Sequence, residues 1–328
     1  MIKVGIIGLG FMGQMHFNCY KNNPDAEVVV VADANPDKLV GSNKVEGNIE
    51  GNNSLDLSGV RTTTDMRSLF DDPEIDVLDF CLPTRAHAEF SINALNAGKH
   101  VLCEKPMAWT VEECDAVIAA QEASGKSILI GHCLRFWPQY VKAQELIQSG
   151  ELGDVIYARF SRVSGAPTWS RWLMTGEESG GAIMDMHVHD IDTALWWFGK
   201  PASIETTGFI HEGLPLKVDA AWKYESGLQV HIHGGWDANG GDFAMSFELI
   251  GTKASLNWDS SRGETMQLYK EGKATPIEVS GTMAYQAEID YLLECIKDGK
   301  LPSRVTPQSS RESVELVREE LKQIGFNF

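Results

Sequence analysis

Apolar residues in the first part of the chain, up to residue 131, follow two alternating patterns. Short apolar runs typical of buried strands are separated by longer segments in which apolar residues recur at helical spacing. The predicted strands cover residues 3–8, 28–33, 77–81, 100–103 and 128–131, and the predicted helices cover 12–21, 86–97 and 111–123. This alternation predicts an α/β fold, with a doubly wound parallel sheet that carries helices on both faces.

After residue 131 the pattern changes to strands that follow one another directly. These strands are predicted at residues 155–163, 204–210, 216–224, 228–234, 245–250 and 266–269, with helices near 182–198, 285–298 and 307–323. Such an order predicts an α+β domain with a large, mainly antiparallel open sheet. Because few helices are available to cover that sheet, we expect one of its faces to mediate self-association.

A glycine-rich turn joins the first predicted strand to the first predicted helix. Gly8, Gly10 and Gly13 stand in the order Gly-x-Gly-x-x-Gly, with Phe11 and Met12 before the last glycine. In dinucleotide-binding folds the first glycine permits the turn, the second lets backbone N–H groups approach a pyrophosphate, and the third lets the helix pack closely. A turn without a ligand is the alternative, but the strand before it and the helix after it favour a nucleotide site.

Asp33 ends the second predicted strand and bears on the choice of cofactor. A carboxylate there accepts hydrogen bonds from the adenosine ribose and repels a 2′-phosphate. No arginine occurs in the following residues 34–37, so NAD is expected rather than NADP. With a length of 328 residues, the chain is expected to form a Rossmann dinucleotide-binding domain at 1–126 and a substrate-binding and oligomerisation domain at 127–328.

Composition excludes several classes of partner. The formal net charge of −18 argues against nucleic acids and anionic membranes, since both need a basic surface. No apolar run approaches the roughly 20 residues that cross a bilayer, and no signal peptide is recognisable, so a cytoplasmic protein is expected. The six cysteines are scattered without close pairing, which predicts reduced, buried thiols.

Glu104-Lys105-Pro106 directly follows a predicted parallel strand, at the sheet edge where ligands bind in open α/β folds. A lysine at this edge can donate to a substrate hydroxyl or carbonyl and stabilise negative charge on that oxygen. The alternative is a surface lysine paired with Glu104. Pro83 and Thr84 follow another strand and are expected at the nicotinamide edge of the same cleft.

A second candidate group lies in the predicted helix 182–198. Asp185, His189 and Asp192 stand at i, i+4 and i+7, so a regular helix places them on one face. A carboxylate beside an imidazole is an acid/base device, with Asp185 orienting His189. A metal site is the rival interpretation, but the order differs from the helical zinc pattern, and His231-x-His233 is typical of a polar sheet face. No metal is expected.

Three further side chains are weaker candidates. His87 is expected to make supporting hydrogen bonds near the cofactor, with a purely structural histidine as the alternative. Arg135 and Trp172 offer a guanidinium group and an aromatic face that could contact a sugar ring, with core packing as the alternative.

Taken in order, these motifs resemble those of the Gfo/Idh/MocA oxidoreductase family. The matching residues are Gly8-x-Gly10-x-x-Gly13-x-x-His16, Asp33, Pro83-Thr84-x-x-His87, Glu104-Lys105-Pro106, Arg135-Phe136 and Asp185-x-x-x-His189-x-x-Asp192, and they extend over nearly the whole chain. The resemblance implies that Lys105 binds substrate, that His189 is the acid/base with Asp185 as its partner, and that the C-terminal sheet forms a homodimer or homotetramer.

Two features depart from the family pattern. His187 stands where many members have a small residue, which makes it a candidate substrate contact. The polar stretch 41–59 replaces the compact helix that is usual there. The function implied is hydride transfer between NAD(H) and a hydroxyl or keto carbon of a sugar, inositol or related polyol. An NAD-dependent glycoside hydrolase of the same fold and a non-catalytic dinucleotide-binding regulator are the alternatives.

Overall fold

The computed structural model describes residues 1–41, 55–237 and 239–327. Most of the predicted polar loop 41–59 therefore lies outside the described residues. The chain forms two compact units, Met1–Cys133 with Ala284–Val314 and Leu134–Met283 with Glu315–Phe328. In the described part of the chain, none of the helices combines the length and the apolar character needed to cross a bilayer.

The first unit is built on a six-stranded parallel sheet, with the strands in the order β3-β2-β1-β4-β5-β6. This is the strand order of a Rossmann fold, and it confirms the predicted parallel sheet. The strands are β1 (Ile2–Ile7), β2 (Ala26–Ala32), β3 (Arg61–Thr63), β4 (Val77–Phe80), β5 (His100–Cys103) and β6 (Ile128–Ile130). β4 is buried along its whole length, as expected for a strand covered on both faces.

Helices α1 (Phe11–Lys21), α2 (Thr84–Asn96) and α3 (Val111–Ser124) connect these strands. α3 begins with a capping box, in which the Thr110 side chain accepts from the Glu113 N–H while the Glu113 carboxylate accepts from the Thr110 N–H. Each half of this box satisfies a backbone N–H that the helix itself leaves unpaired.

The second unit contains an eight-stranded sheet, in the order β14-β13-β12-β11-β7-β10-β9-β8. Only β7 and β10 pair in parallel, so the sheet is mainly antiparallel, as predicted. The strands are β7 (Val155–Gly165), β8 (Ser203–His211), β9 (Leu214–Lys223), β10 (Gln229–Asp237), β11 (Ala244–Gly251), β12 (Ser255–Asp259), β13 (Met266–Lys270) and β14 (Lys273–Ile277). Along most of β7, β9, β10 and β11, buried side chains alternate with partly or fully exposed ones, which gives the sheet one covered face and one open face.

The helices of the second part of the chain are α4 (Pro138–Gln148), α5 (Gly176–Ser179), α6 (Val188–Phe198), α7 (Ala284–Lys297) and α8 (Pro307–Gln323), and a π-helical turn, Ile183–His187, leads into α6. α7 groups with the first unit, where its Tyr285 ring lies 6.5 Å from that of His16 on α1. The sequence division at 126/127 differs from this grouping. β6 belongs to the first sheet, and α7 returns to the first unit after the second sheet is complete.

Candidate active site

The glycine-rich turn between β1 and α1 leaves room that side chains would close. Gly8 has a φ of +97°, and a Cβ there would lie 2.3 Å from the Cys81 carbonyl oxygen. A Cβ on Gly13 would lie 1.8 Å from the Gly8 carbonyl oxygen, so both positions require glycine. A Cβ on Gly10, by contrast, would have no atom within 4 Å among the described residues. The N-terminus of α1, at Phe11, therefore faces open space, which suits an anionic group at a helix N-terminus.

Asp33 lies at the end of β2, next to this turn. Its carboxylate is buried and accepts the backbone N–H of Leu9 at 2.8 Å and that of Asn35 at 2.9 Å. The ammonium group of Lys38 lies 3.2 Å from the same carboxylate. Lys38 stands one position beyond residues 34–37, where the sequence has no arginine, and for that reason its contact with Asp33 was not predicted.

Glu104 and Lys105 follow β5 at the carboxyl edge of the parallel sheet. Glu104 is buried and accepts the Lys105 N–H at 3.2 Å, whereas Lys105 itself is partly exposed. The peptide bond between Lys105 and Pro106 is cis. The Pro106 carbonyl lies 2.7 Å from Nδ1 of His87, whose Nε2 lies 2.8 Å from the Leu82 carbonyl. His87 thus links the segment after β4 to the Glu-Lys-Pro segment.

The protonation of His87 follows from its surroundings. Burial lowers the pKa of the imidazole below its usual value, although the two carbonyl contacts oppose this shift. Pro83 and Thr84 stand beside it at the start of α2, and Thr84 is buried.

A buried polar cluster behind the glycine turn was not anticipated from the sequence. Nδ1 of His16 lies 2.9 Å from Asp79 on β4, and its Nε2 lies 3.2 Å from Glu104. Burial lowers the pKa of His16, but the charge and hydrogen bond of Asp79 raise it more, so that it lies well above the usual value. For Glu104 burial acts in the opposite direction and raises the pKa. The contacts with His16 outweigh this effect, so the pKa of Glu104 lies below its usual value. The sequence feature that could have revealed this cluster is Asp79, an aspartate within the otherwise apolar strand β4.

His16, Asp79 and Cys81 also form a group whose potential ligand atoms lie within 4.8 Å of one another. Carboxylates within ion-pair distance of both ring nitrogens of His16 favour a charged imidazolium over a metal ligand, because a ligating nitrogen carries no proton. Burial raises the pKa of the Cys81 thiol, which keeps it protonated.

In the second unit, the segment 179–195 is described throughout, and it is buried except at two residues, Asp185 and His189. The predicted helix is present, but it opens with the π-helical turn Ile183–His187, in which the Val188 N–H donates to the Ile183 carbonyl. Asp185 and His189 therefore share a small accessible face, as their i, i+4 spacing predicts.

Asp192 does not share this face. It is fully buried, and its two carboxylate oxygens accept from Nε and Nη2 of Arg135, each at 2.8 Å. Asp192 lies within α6 three residues after His189, about 60° further around the helix, and on that side it is covered by its ion pair with Arg135. Arg135, predicted as a substrate contact, is itself 4% exposed and makes a bidentate ion pair that supports α6.

The two remaining candidate substrate contacts lie in different surroundings. His187 is fully buried, with Nε2 2.7 Å from the Glu320 carboxylate on α8, so it faces away from the accessible side that Asp185 and His189 share. Trp172 is partly exposed, in a turn ahead of α5. The next residues, Leu173 and Met174, pack against the buried cluster around Trp236.

Two family models match the chain. Residues 2–132 match a model described as an oxidoreductase family with an NAD-binding Rossmann fold, and residues 140–257 match the Gfo/Idh/MocA C-terminal domain. These two matches together span more than half of the chain.

Named relatives and solved structures agree with these matches. Levoglucosan dehydrogenase of Pseudarthrobacter phenanthrenivorans is 27% identical over 309 residues, covering 81% of this chain and 76% of that protein. The scyllo-inositol 2-dehydrogenase (NAD(+)) of Bacillus subtilis is 26% identical over 317 residues, covering 92% and 88%. A structure of levoglucosan dehydrogenase in complex with NADH and levoglucosan shares the fold, with a TM-score of 0.85 at 21% identity over 98% and 97% of the two chains. The chain belongs to the Gfo/Idh/MocA family, a family of oxidoreductases with an NAD-binding Rossmann fold.

Proposed function

We propose that this chain is an NAD-dependent dehydrogenase that transfers hydride between NAD(H) and a hydroxyl or keto carbon of a sugar, inositol or related polyol. The observation that carries the proposal is the accessible pair Asp185 and His189 on an otherwise buried segment. An acid/base pair of this kind serves alcohol oxidation, in which a hydroxyl proton must be removed. The named relatives act on levoglucosan and scyllo-inositol, which supports the substrate class.

The residues of the first unit fit a bound dinucleotide. The open space at Gly10 admits a pyrophosphate against the backbone of residues 10–12, and Asp33 accepts hydrogen bonds from the adenosine ribose. Pro83, Thr84 and Glu104 border the nicotinamide side, with His87 holding their two segments together. When bound, NAD supplies the hydride acceptor.

The polar side chains supply the proton chemistry. In this proposal a ring nitrogen of His189 takes the proton from the substrate hydroxyl, and Asp185 orients the imidazole and stabilises its charged form. Nζ of Lys105 donates a hydrogen bond to the same substrate oxygen and stabilises its negative charge. Trp172 offers an aromatic face to the substrate ring.

We also propose that NAD is preferred over NADP. The Asp33 carboxylate is fixed by two backbone N–H groups, so it stands ready for the ribose hydroxyls and repels a 2′-phosphate. The ammonium group of Lys38 lies 3.2 Å from the Asp33 carboxylate and offsets part of that repulsion, so the preference for NAD over NADP is limited.

Self-association through the open face of the large sheet is a further part of the proposal. That face contains a concavity of about 410 Å³. Its lining includes charges of both signs, with Arg159 on β7, Asp219 on β9 and His233 on β10. Charges of both signs on one face can pair with each other across a two-fold contact between copies. Light scattering coupled to size exclusion measures the assembly, and Arg159→Glu is expected to reduce it to single chains.

The deciding experiment is a screen of polyols, free sugars and nucleotide sugars with NAD, followed by NADH absorbance. Lys105→Ala and His189→Ala are expected to lower turnover by about 100-fold or more with the fold intact. His211→Gln and Lys270→Ala are matched controls that change the same residue types at exposed positions outside the site. Glycoside cleavage without net NADH would indicate the hydrolase, and dinucleotide binding without either reaction would indicate the regulator.

A further inference from the structure

A buried carboxylate from the end of the chain holds the segment that presents the acid/base pair. Glu320 on α8 is fully buried, and Oε2 accepts from Nε2 of His187 at 2.7 Å. Its other oxygen accepts from the indole N–H of Trp222 on β9 at 2.9 Å. Both oxygens thus have a nitrogen donor, as a buried carboxylate requires.

The His187 ring is also in close contact with a strand on its other side. The ring packs against β10 at Gly234, where a Cβ would lie 2.9 Å from Nδ1. The preceding residue, Met186, is also fixed, since its sulfur accepts from Trp236 Nε1 at 3.1 Å and from Ser164 Oγ at 3.3 Å. The inward side of the π-helical turn is therefore held by named contacts at two successive residues.

The position of His187 in the chain links these contacts to the acid/base pair. It stands two residues after Asp185 and two before His189, and residues two apart project to roughly opposite sides of a helix. Fixing the His187 ring inward therefore fixes the rotation that points Asp185 and His189 outward. The π-helical turn, a rare element, is held here by these tertiary contacts.

We propose that Glu320 is a positioning residue, which acts through His187 to set the direction of Asp185 and His189. This inference rests on the proposed dehydrogenase function and adds to it a residue 131 positions beyond His189 in the sequence. Glu320 lies on the buried side of the segment and acts without touching substrate.

The test compares Glu320→Leu, Glu320→Gln and a matched control, Trp258→Phe. Like Trp222, Trp258 is a buried tryptophan of the second unit with a hydrogen-bonded indole N–H. Its N–H donates to the Gly263 carbonyl at 2.9 Å, away from the π-helical turn. Glu320→Leu is expected to lower kcat about 10- to 100-fold with NADH affinity unchanged. Glu320→Gln is expected to lower kcat less, because its amide oxygen still accepts a hydrogen bond from the indole N–H of Trp222. Trp258→Phe is expected to lower the unfolding temperature without changing kcat.

A second measurement separates this inference from the proposed function. The NMR titration of His189, assigned from the signal lost in His189→Gln, is expected to shift by about half a pH unit or more in Glu320→Leu and to stay unchanged in Trp258→Phe. If Glu320→Leu unfolds, Glu320→Gln and His187→Phe provide the same comparison. An unchanged titration and unchanged kcat in these variants would overturn the positioning role. If wild-type protein oxidised no polyol, the proposed function would fail, and the titration would still decide the role of Glu320.

Discussion

Asp192→Asn distinguishes a structural aspartate from a catalytic one. By spacing, Asp192 belongs with Asp185 and His189, whereas the structure pairs it with Arg135 in a fully buried site. The substitution keeps the shape of the side chain and removes its charge. The guanidinium of Arg135 then stays buried without its counter-charge. The new amide N–H₂ group at position 192 also faces the N–H groups of Arg135, so donor opposes donor.

The expected loss follows from this burial. The two hydrogen bonds of 2.8 Å join side chains that are 5% and 0% exposed, so solvent does not replace the lost partner. Removing one member of such a pair costs about 3–5 kcal/mol of unfolding free energy. Glu205→Gln breaks a comparable ion pair, with Lys223 at 3.0 Å, whose side chains are 72% and 56% exposed. That control is expected to cost at most about 1 kcal/mol.

Urea denaturation followed by tryptophan fluorescence measures both losses, and turnover is then measured where each variant is fully folded. We expect Asp192→Asn to be strongly destabilised while its folded fraction retains turnover within about 10-fold of wild type. Normal stability with turnover reduced as far as in His189→Ala would refute this reasoning and return Asp192 to the catalytic group.

Three other predictions concern the first unit. Gly10→Ala is expected to keep the fold but weaken NADH binding about 10-fold or more by fluorescence titration, whereas Gly13→Ala loses stability as well, because its Cβ would overlap the Gly8 carbonyl. Lys38→Glu is expected to raise the kcat/KM ratio of NAD over NADP about 10-fold, since it replaces attraction of a 2′-phosphate by repulsion. Burial lowers the pKa of His100 from 6.5 to about 4, so the unfolded chain binds the proton first. The unfolding free energy should therefore fall as pH falls from 6.5 to 4, and His100→Gln should flatten that decline.

Most of the fold was predictable because burial leaves a strong periodic signal. The five predicted strands of the first sheet and the change to an antiparallel sheet are confirmed. Three strands escaped prediction. β3 is a short, polar strand at the sheet edge, and β14 is almost entirely exposed, so neither shows an apolar pattern. β12 is only five residues long and carries just two fully buried side chains.

The site was predictable to the extent that it depends on local geometry. The roles of Gly8 and Gly13 follow from the turn they form, and the structure shows the overlap that any side chain would cause there. Lys38 and Glu320 were missed for different reasons. Lys38 needed only a wider search along the chain, but the contact of Glu320 with His187 spans 133 positions, and no spacing rule reaches that far.

The run from Asp185 to Asp192 shows where sequence reasoning stops. It contains five ionisable residues, and helical spacing places Asp185, His189 and Asp192 on one face. In the folded chain three of them are fully buried, each against a partner from a different element: His187 with Glu320, Asp190 with Arg162, and Asp192 with Arg135. Because a buried charge is tolerated only with a partner, the distant partners decide which residues of the run turn inward. Asp185 and His189 remain partly exposed, so the same short segment separates its anchoring residues from those proposed for proton transfer.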